Sequence, residues 1–170
     1  RERRVTEDGK GTAMRTAYAA AGVDVAAGDR AVELLRSRIA TAGASFGAFH
    51  AANSLCRRPD LFDGLIGMSG FYDLEGGYLK GYTDDNVYFN NPAWYVRNLD
   101  GEPLRLLRTA SAIVLVSGRG AYEAPHASQA FSDLLTDKGI PHVMDFWGDD
   151  VNHDWPWWRR MLPHYLPRVY

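Results

Sequence analysis

At 170 residues with 46% hydrophobic side chains, the chain is long enough to bury one core and too apolar to remain a disordered coil. Its 19 Lys and Arg against 21 Asp and Glu leave a formal net charge of −2 with no long basic run, which speaks against a nucleic-acid partner. Cys56 is the only cysteine, so neither an internal disulfide nor a zinc cluster is expected, and no apolar stretch reaches the about 18 residues that span a bilayer. No signal-peptide core is visible, which makes the cytoplasm the expected setting and a membrane partner unexpected. The sequence opens on Arg1 rather than methionine, so an earlier start, with any targeting signal, is an open expectation.

Residues 1–12 read as a polar arm, and "AMRTAYAAAG" and "AGDRAVELLRSR" read as helices. From Arg38 the pattern sharpens. "RIATAGA" is a short apolar run ending in glycine, and "SFGAFHAANSLCRRPD" after it is a helix stopped by Pro59. "LFDGLIGMSGFYDL" carries the next strand, and "SAIVLVSGRG" has the continuous β-branched character of a strand buried on both faces of a parallel sheet. "APHASQAFSDLLTDKG" is a helix with Pro125 near its start and Gly139 just past its end. "IPHVMDFWG" alternates as a strand, and "WPWWRRMLPHYL" closes the chain as a helix. Between the second and third strands, an insertion at about 74–108 is long enough to build a site or a lid. Alternating strands and helices predict an α/β fold with a mostly parallel sheet over residues 38–170, behind an N-terminal arm with helices over 1–37.

The stretch "GASFG" places Ser45 between Gly43 and Gly47. The bare pattern is common by chance, but here a strand precedes it and a helix follows, the setting of a nucleophile on a strand-to-helix turn. Such a turn needs small residues two positions either side of the serine, where strand and helix approach. It also sets the Phe46 amide and the helix N-terminus where they can stabilise an oxyanion. The ordinary alternative is a serine N-cap.

A nucleophilic serine needs a base, and five histidines compete. His50, His126, His142 and His164 each fit an ordinary place in a helix or beside a strand. His153, in "WGDDVNHDWPWW", follows the last strand, where the order serine, acid, histidine puts the base. The acid is expected after "AIVLVSG", where "RGAYEAPH" offers a single carboxylate, Glu123; a plain first-turn glutamate is the alternative. Asp149, Asp150 and Asp154 flank His153 and read as loop or substrate-facing residues, with Asp150 kept as a second candidate acid. Trp147, Trp155, Trp157 and Trp158 divide between helix packing and an apolar pocket wall, with Trp155 the candidate for substrate contact. In "YTDDNVYFNNP", Asp85 and Asn86 are candidate substrate hydrogen-bonding groups, with a turn-forming role as the alternative.

With these segments in view, "GASFGAFHAAN", "RRPDLFDGLIGMSGFYDL", "GYTDDNVYFNNP" and "GIPHVMDFWGDDVNHDWPWWRRMLP" together resemble the esterase D-like branch of the α/β-hydrolases over about residues 38–170. Related groups include S-formylglutathione hydrolases, feruloyl esterases and mycolyltransferases. The resemblance implies Ser45 as nucleophile, His153 as base and Glu123 at the place of the acid, with no metal or organic cofactor. It also implies strands ahead of the nucleophile strand, one carrying the second oxyanion amide, for which the first forty residues offer no match. A fragment, or a front half lost or replaced, is therefore expected, and with it exposed strand edges and apolar surface, answered by self-association into a homo-oligomer, by a missing companion segment, or by poor stability.

The leading expectation is a serine hydrolase cleaving a small-molecule carboxylic ester. The rivals are an acyltransferase using the same residues and a catalytically silent binding module. A nucleotide-binding domain is disfavoured, since "GASFGAFH" lacks both the Lys-Ser/Thr end of a P-loop and the third glycine of a dinucleotide fingerprint.

Overall fold

The computed structural model describes residues 39–110 and 112–169. The arm and helices expected over 1–37 lie outside the described residues. Among the described residues four strands, β1 (Ala40–Ala44), β2 (Gly64–Met68), β3 (Ala112–Ser117) and β4 (Val143–Phe146), form one sheet in that order. Every pairing is parallel, Gly43 opposite Gly67 and Leu65 opposite Ile113. Parallel neighbours need a crossover, and helices supply it. The helices are α1 (Phe46–Arg57), α2 (Asp85–Asn90), α3 (Pro92–Tyr95), α4 (Gly101–Arg108), α5 (Pro125–Asp137) and α6 (Trp155–Tyr165).

The period of two along each central strand sorts its side chains between two cores. Leu65, Ile113 and Leu115 face a layer built from α1, α4 and α5, where Leu55, Leu107, Phe131 and Leu135 are buried. Ile66, Met68, Val114 and Val116 face the other side, onto Trp158, Met161 and Tyr165 of α6. β2 and β3 are therefore covered on both faces, which is why they are apolar without alternation.

Each helix follows from local chemistry. Ala48, Ala51, Ala52 and Leu55 recur at the spacing of one helical face, and small alanines let α1 lie close to the sheet. The Thr41 hydroxyl reinforces that contact by donating to the Ala51 carbonyl at 3.0 Å. α1 ends before Pro59, whose ring disfavours helical backbone at Arg58. Pro125 opens α5, and Gly139 beyond its end has φ +65°, a conformation that glycine adopts without strain. Between β2 and β3, α2 buries none of its residues, whereas α3 buries Pro92, Ala93 and Tyr95 and α4 buries Leu104 and Leu107. No helix among the described residues is long and apolar enough to cross a membrane.

Candidate active site

The C-terminal ends of β1, β2, β3 and the loop after β4 converge on one group of side chains. Ser45 sits between β1 and α1, and its N–H continues the sheet by donating to the Met68 carbonyl at 2.9 Å. Its backbone then turns sharply into the helix with φ 55° and ψ −121°. A Cβ on Gly43 would lie 2.1 Å from the Gly47 carbonyl oxygen and 2.8 Å from the Ala48 nitrogen, so only glycine fits at that approach. Gly47 behaves otherwise. Among the described residues a Cβ there would meet nothing within 4 Å, which corrects the expectation that both flanking glycines are required by close approach: position 47 is exposed on the first turn of α1.

Ser45 stands at the N-cap position of α1 but makes no side-chain capping bond. Its Oγ lies 2.9 Å from His153 Nε2 instead, a contact between residues 108 apart in sequence. His153 Nδ1 faces Glu123 Oε2 at 3.5 Å and has no shorter hydrogen bond. The Glu123 side chain is fully enclosed and that of His153 is 25% exposed.

Two loops are zipped together to bring acid and histidine face to face. Beyond β3, the N–H groups of Arg119 and Gly120 donate to the carbonyls of Gly148 and Val151 at 3.2 and 2.9 Å. The Ala121 N–H donates to Asn152 Oδ1 at 2.7 Å, and the His153 N–H donates to the Ala121 carbonyl at 3.0 Å. The approach is so close that a Cβ on Gly118 would sit 2.1 Å from the Val151 carbonyl oxygen, and one on Gly120 2.4 Å from Asn152 Oδ1.

Four non-glycine residues among those described have positive φ: Ser45, Ser69, Lys80 and Tyr122. Three of them border this group, Tyr122 next to Glu123 and Ser69 in contact with it. Such conformations cost about 1–3 kcal/mol each and persist where the surrounding structure demands them.

Around the carboxylate, Ser69 donates to Oε1 at 2.6 Å and Ser117 approaches Oε2 at 3.1 Å. Trp158 Nε1 donates to Ser69 Oγ at 3.0 Å, and the Trp158 ring meets His153 edge-on with centroids 5.0 Å apart. Ser69 and Ser117 escape a reading based on residue type. Their one sequence signal is position, since each closes an apolar strand at the carboxyl edge of a parallel sheet, where α/β folds gather functional groups.

The remaining candidates separate. His50 and His126 are exposed on helices, His142 lies 2.7 Å from the Ser132 hydroxyl, and the His164 ring packs on Trp147 and Tyr165. Asp149 and Asp150 are exposed, and Asp154 caps α6 by accepting from the Trp155 N–H at 2.7 Å. Of the tryptophans, Trp158 is buried on His153, Trp147 donates to the Tyr165 hydroxyl, and Trp155 is 62% exposed. Asp85 and Asn86 are exposed on α2, whose Asn90 reaches Asn53 and Arg57. Those anchors lie about 12 to 18 Å along α1 from Ser45 at the helical rise, so α2 is tied to α1 away from the serine. Beside Ser45, the rings of Phe46, Phe49, Phe71 and Tyr78 stack into an aromatic surface, with Phe46 and Phe71 centroids 5.4 Å apart.

No protein-family model matches the chain, and no curated protein matches it. Solved structures do. A ferulic acid esterase superposes with a TM-score of 0.63 at 24% identity, over 79% of this chain and 52% of that one. An S-formylglutathione hydrolase from Agrobacterium tumefaciens gives 0.60 at 13%, over 79% and 49%. The fluorophosphonate-binding serine hydrolase F of Staphylococcus aureus gives 0.60 at 12%, over 86% and 62%. The fold is that of an α/β-hydrolase. This chain spans about half to three fifths of the length of the structures it matches. Within the fold, Ser45 falls after one strand, Glu123 after a later one and His153 after the last, in that chain order.

Proposed function

We infer that this α/β-hydrolase chain is a serine hydrolase that cleaves a small-molecule carboxylic ester through an acyl-enzyme on Ser45. The observation that carries this reading is the Ser45 Oγ to His153 Nε2 contact of 2.9 Å at a strained strand-to-helix turn where the serine makes no capping bond. A serine kept only as a cap would turn its oxygen to the first helical amides. Here the oxygen is turned to an imidazole.

The chemistry follows from the atoms in reach. Ser45 Oγ bonds to the ester carbonyl carbon while its proton passes to His153 Nε2. The oxygen that gains charge lies beside the Phe46 N–H, which belongs to the amides that helical geometry leaves without an intrahelical acceptor. The tetrahedral centre collapses, the carbon–oxygen bond to the alcohol breaks, and the departing oxygen takes the proton from His153. Water then repeats the sequence in reverse roles and frees the acid and Ser45. Glu123 keeps the His153 ring in the tautomer that leaves Nε2 free to accept, and stabilises the imidazolium. Its Oε2 lies 3.5 Å from Nδ1, facing the nitrogen whose proton it would hold. An alcohol in place of water makes the same steps a transfer. Trp155 and the aromatic surface of Phe46, Phe71 and Tyr78 are the proposed walls for the apolar part of the ester.

A tagged fluorophosphonate tests the reading, because it labels only a serine activated by a base. Labelling of the chain that disappears in both Ser45→Ala and His153→Ala is the expected result. A folded chain that takes no label overturns the reading in favour of a catalytically silent binding module or a fragment of the enzyme.

A further inference from the structure

The carboxylate that faces His153 is held from behind by a hydroxyl to which the three-residue mechanism gives no task. Ser69 follows the last residue of β2, is 5% exposed, and donates to Glu123 Oε1 at 2.6 Å. The Glu123 side chain is enclosed, and a carboxylate out of bulk solvent is stabilised by its hydrogen-bond donors. Ser117 has one proton and two acceptors at 3.1 Å, Glu123 Oε2 and the Gly118 carbonyl. Ser69 is the shorter and less divided donor.

Its direction is also determined. An indole N–H can donate and cannot accept, so Trp158 Nε1, 3.0 Å away, obliges the Ser69 oxygen to accept and leaves the hydroxyl proton for Glu123. The backbone at Ser69 is held at φ 49°, while its N–H still donates to the Val116 carbonyl at 2.7 Å. The strand pairing is thus kept while the chain adopts a costly conformation that sets the side chain on the acid.

We propose that Ser69, oriented by the Trp158 indole, is a positioning residue that fixes the Glu123 carboxylate so that Oε2 faces His153 Nδ1. It touches no reacting atom and acts through Glu123 on the ring that serves Ser45. The proposal rests on the serine hydrolase reading above.

The test measures hydrolysis of p-nitrophenyl acetate and fluorophosphonate labelling rates on the full 170-residue chain. Ser69→Gly removes the hydroxyl and suits the positive φ; Ser69→Ala removes the hydroxyl and keeps the strain. Both lower kcat and the labelling rate by about tenfold to a hundredfold, the range for losing a hydrogen bond to a charged group. KM stays unchanged, because acylation and deacylation use the same base. Trp158→Phe keeps the ring against His153 but frees the Ser69 hydroxyl to rotate, and lowers kcat by a smaller factor. A loss in Ser69→Ala that Ser69→Gly does not share is a backbone effect and overturns the proposal. So does wild-type kcat in Ser69→Gly together with Trp158→Phe. Wild-type chain that takes no label overturns both this proposal and the hydrolase reading, whereas a labelled wild type with equally fast Ser69→Gly overturns this proposal alone.

Discussion

At the scale of single residues, the site depends on which atoms can donate and which can only accept. The Glu123 carboxylate accepts from Ser69, lies within reach of the Ser117 hydroxyl and faces His153 Nδ1. Glu123→Gln keeps the shape and replaces one oxygen by an NH2 donor. That group either opposes the serine hydroxyls or donates to His153 Nδ1, which forces the tautomer whose Nε2 carries the proton and, in the proposed mechanism, cannot deprotonate Ser45. The expected outcome is a kcat for p-nitrophenyl acetate lower by about a hundredfold or more, with an unchanged circular-dichroism spectrum. Cys56 shows the opposite use of burial. Enclosure pushes its thiol up to about 12, so it remains protonated and inert in the native chain. A disulfide reagent at pH 8 should modify it only as the chain unfolds in urea, and rapid modification of native protein would contradict its burial.

At the scale of elements, the turn from β1 to α1 is asymmetric. A Cβ at Gly43 runs into the backbone of α1 at 2.1 Å, and backbone cannot rotate away as a side-chain tip can. Gly43→Ala should therefore cost about 1–3 kcal/mol or more in urea unfolding and move Ser45 from His153, lowering the labelling rate as well. Gly47→Ala meets open space and replaces glycine in a helical turn by the best helix former. It should leave stability unchanged or raise it by up to about 1 kcal/mol, with labelling retained. The two glycines of one short motif thus separate in a single pair of urea titrations. The glycines of the acid loop belong with Gly43, since Gly118 and Gly120 lie against the backbone and side chain of the histidine loop.

At the scale of the whole molecule, the central strands β2 and β3 are covered on both faces, and the α6 side is held by polar groups as well as apolar ones. The Tyr165 hydroxyl donates to Asp145 on β4 at 2.5 Å and accepts from Trp147 Nε1 at 2.9 Å. Burial first, and then the bond to Asp145, push this phenol up to about 12 from its ordinary 10. Because the folded state favours the neutral phenol, its contribution to stability is complete below pH 10 and is lost as pH rises toward 12. Cys56 adds loss of the same sign from about 9 to 12. The urea midpoint should fall between pH 8.5 and pH 11, and Tyr165→Phe should flatten that slope while lowering stability at pH 8 through the hydrogen bonds it removes.

Outside the insertion at about 74–108, whose helices α2, α3 and α4 were not legible in it, the local sequence determined the order and type of the described elements, because hydrophobic period, glycine and proline positions and helix caps act over a few residues. The strand-turn-helix around Ser45, the continuous apolar β3 and the proline and glycine at the ends of α5 are legible in that way, as are the serine, the acid and the histidine as candidates in chain order. What only the tertiary structure decided is which atoms meet. Ser45 and His153 are 108 positions apart, and their 2.9 Å contact exists because a parallel sheet brings its carboxyl ends to one edge. The hydroxyls of Ser69 and Ser117 on Glu123, the loop zipped over Gly118 and Gly120, and the open space at Gly47 belong to the same class. Each depends on distances between segments remote in sequence, and no local pattern of residues encodes a distance of that kind.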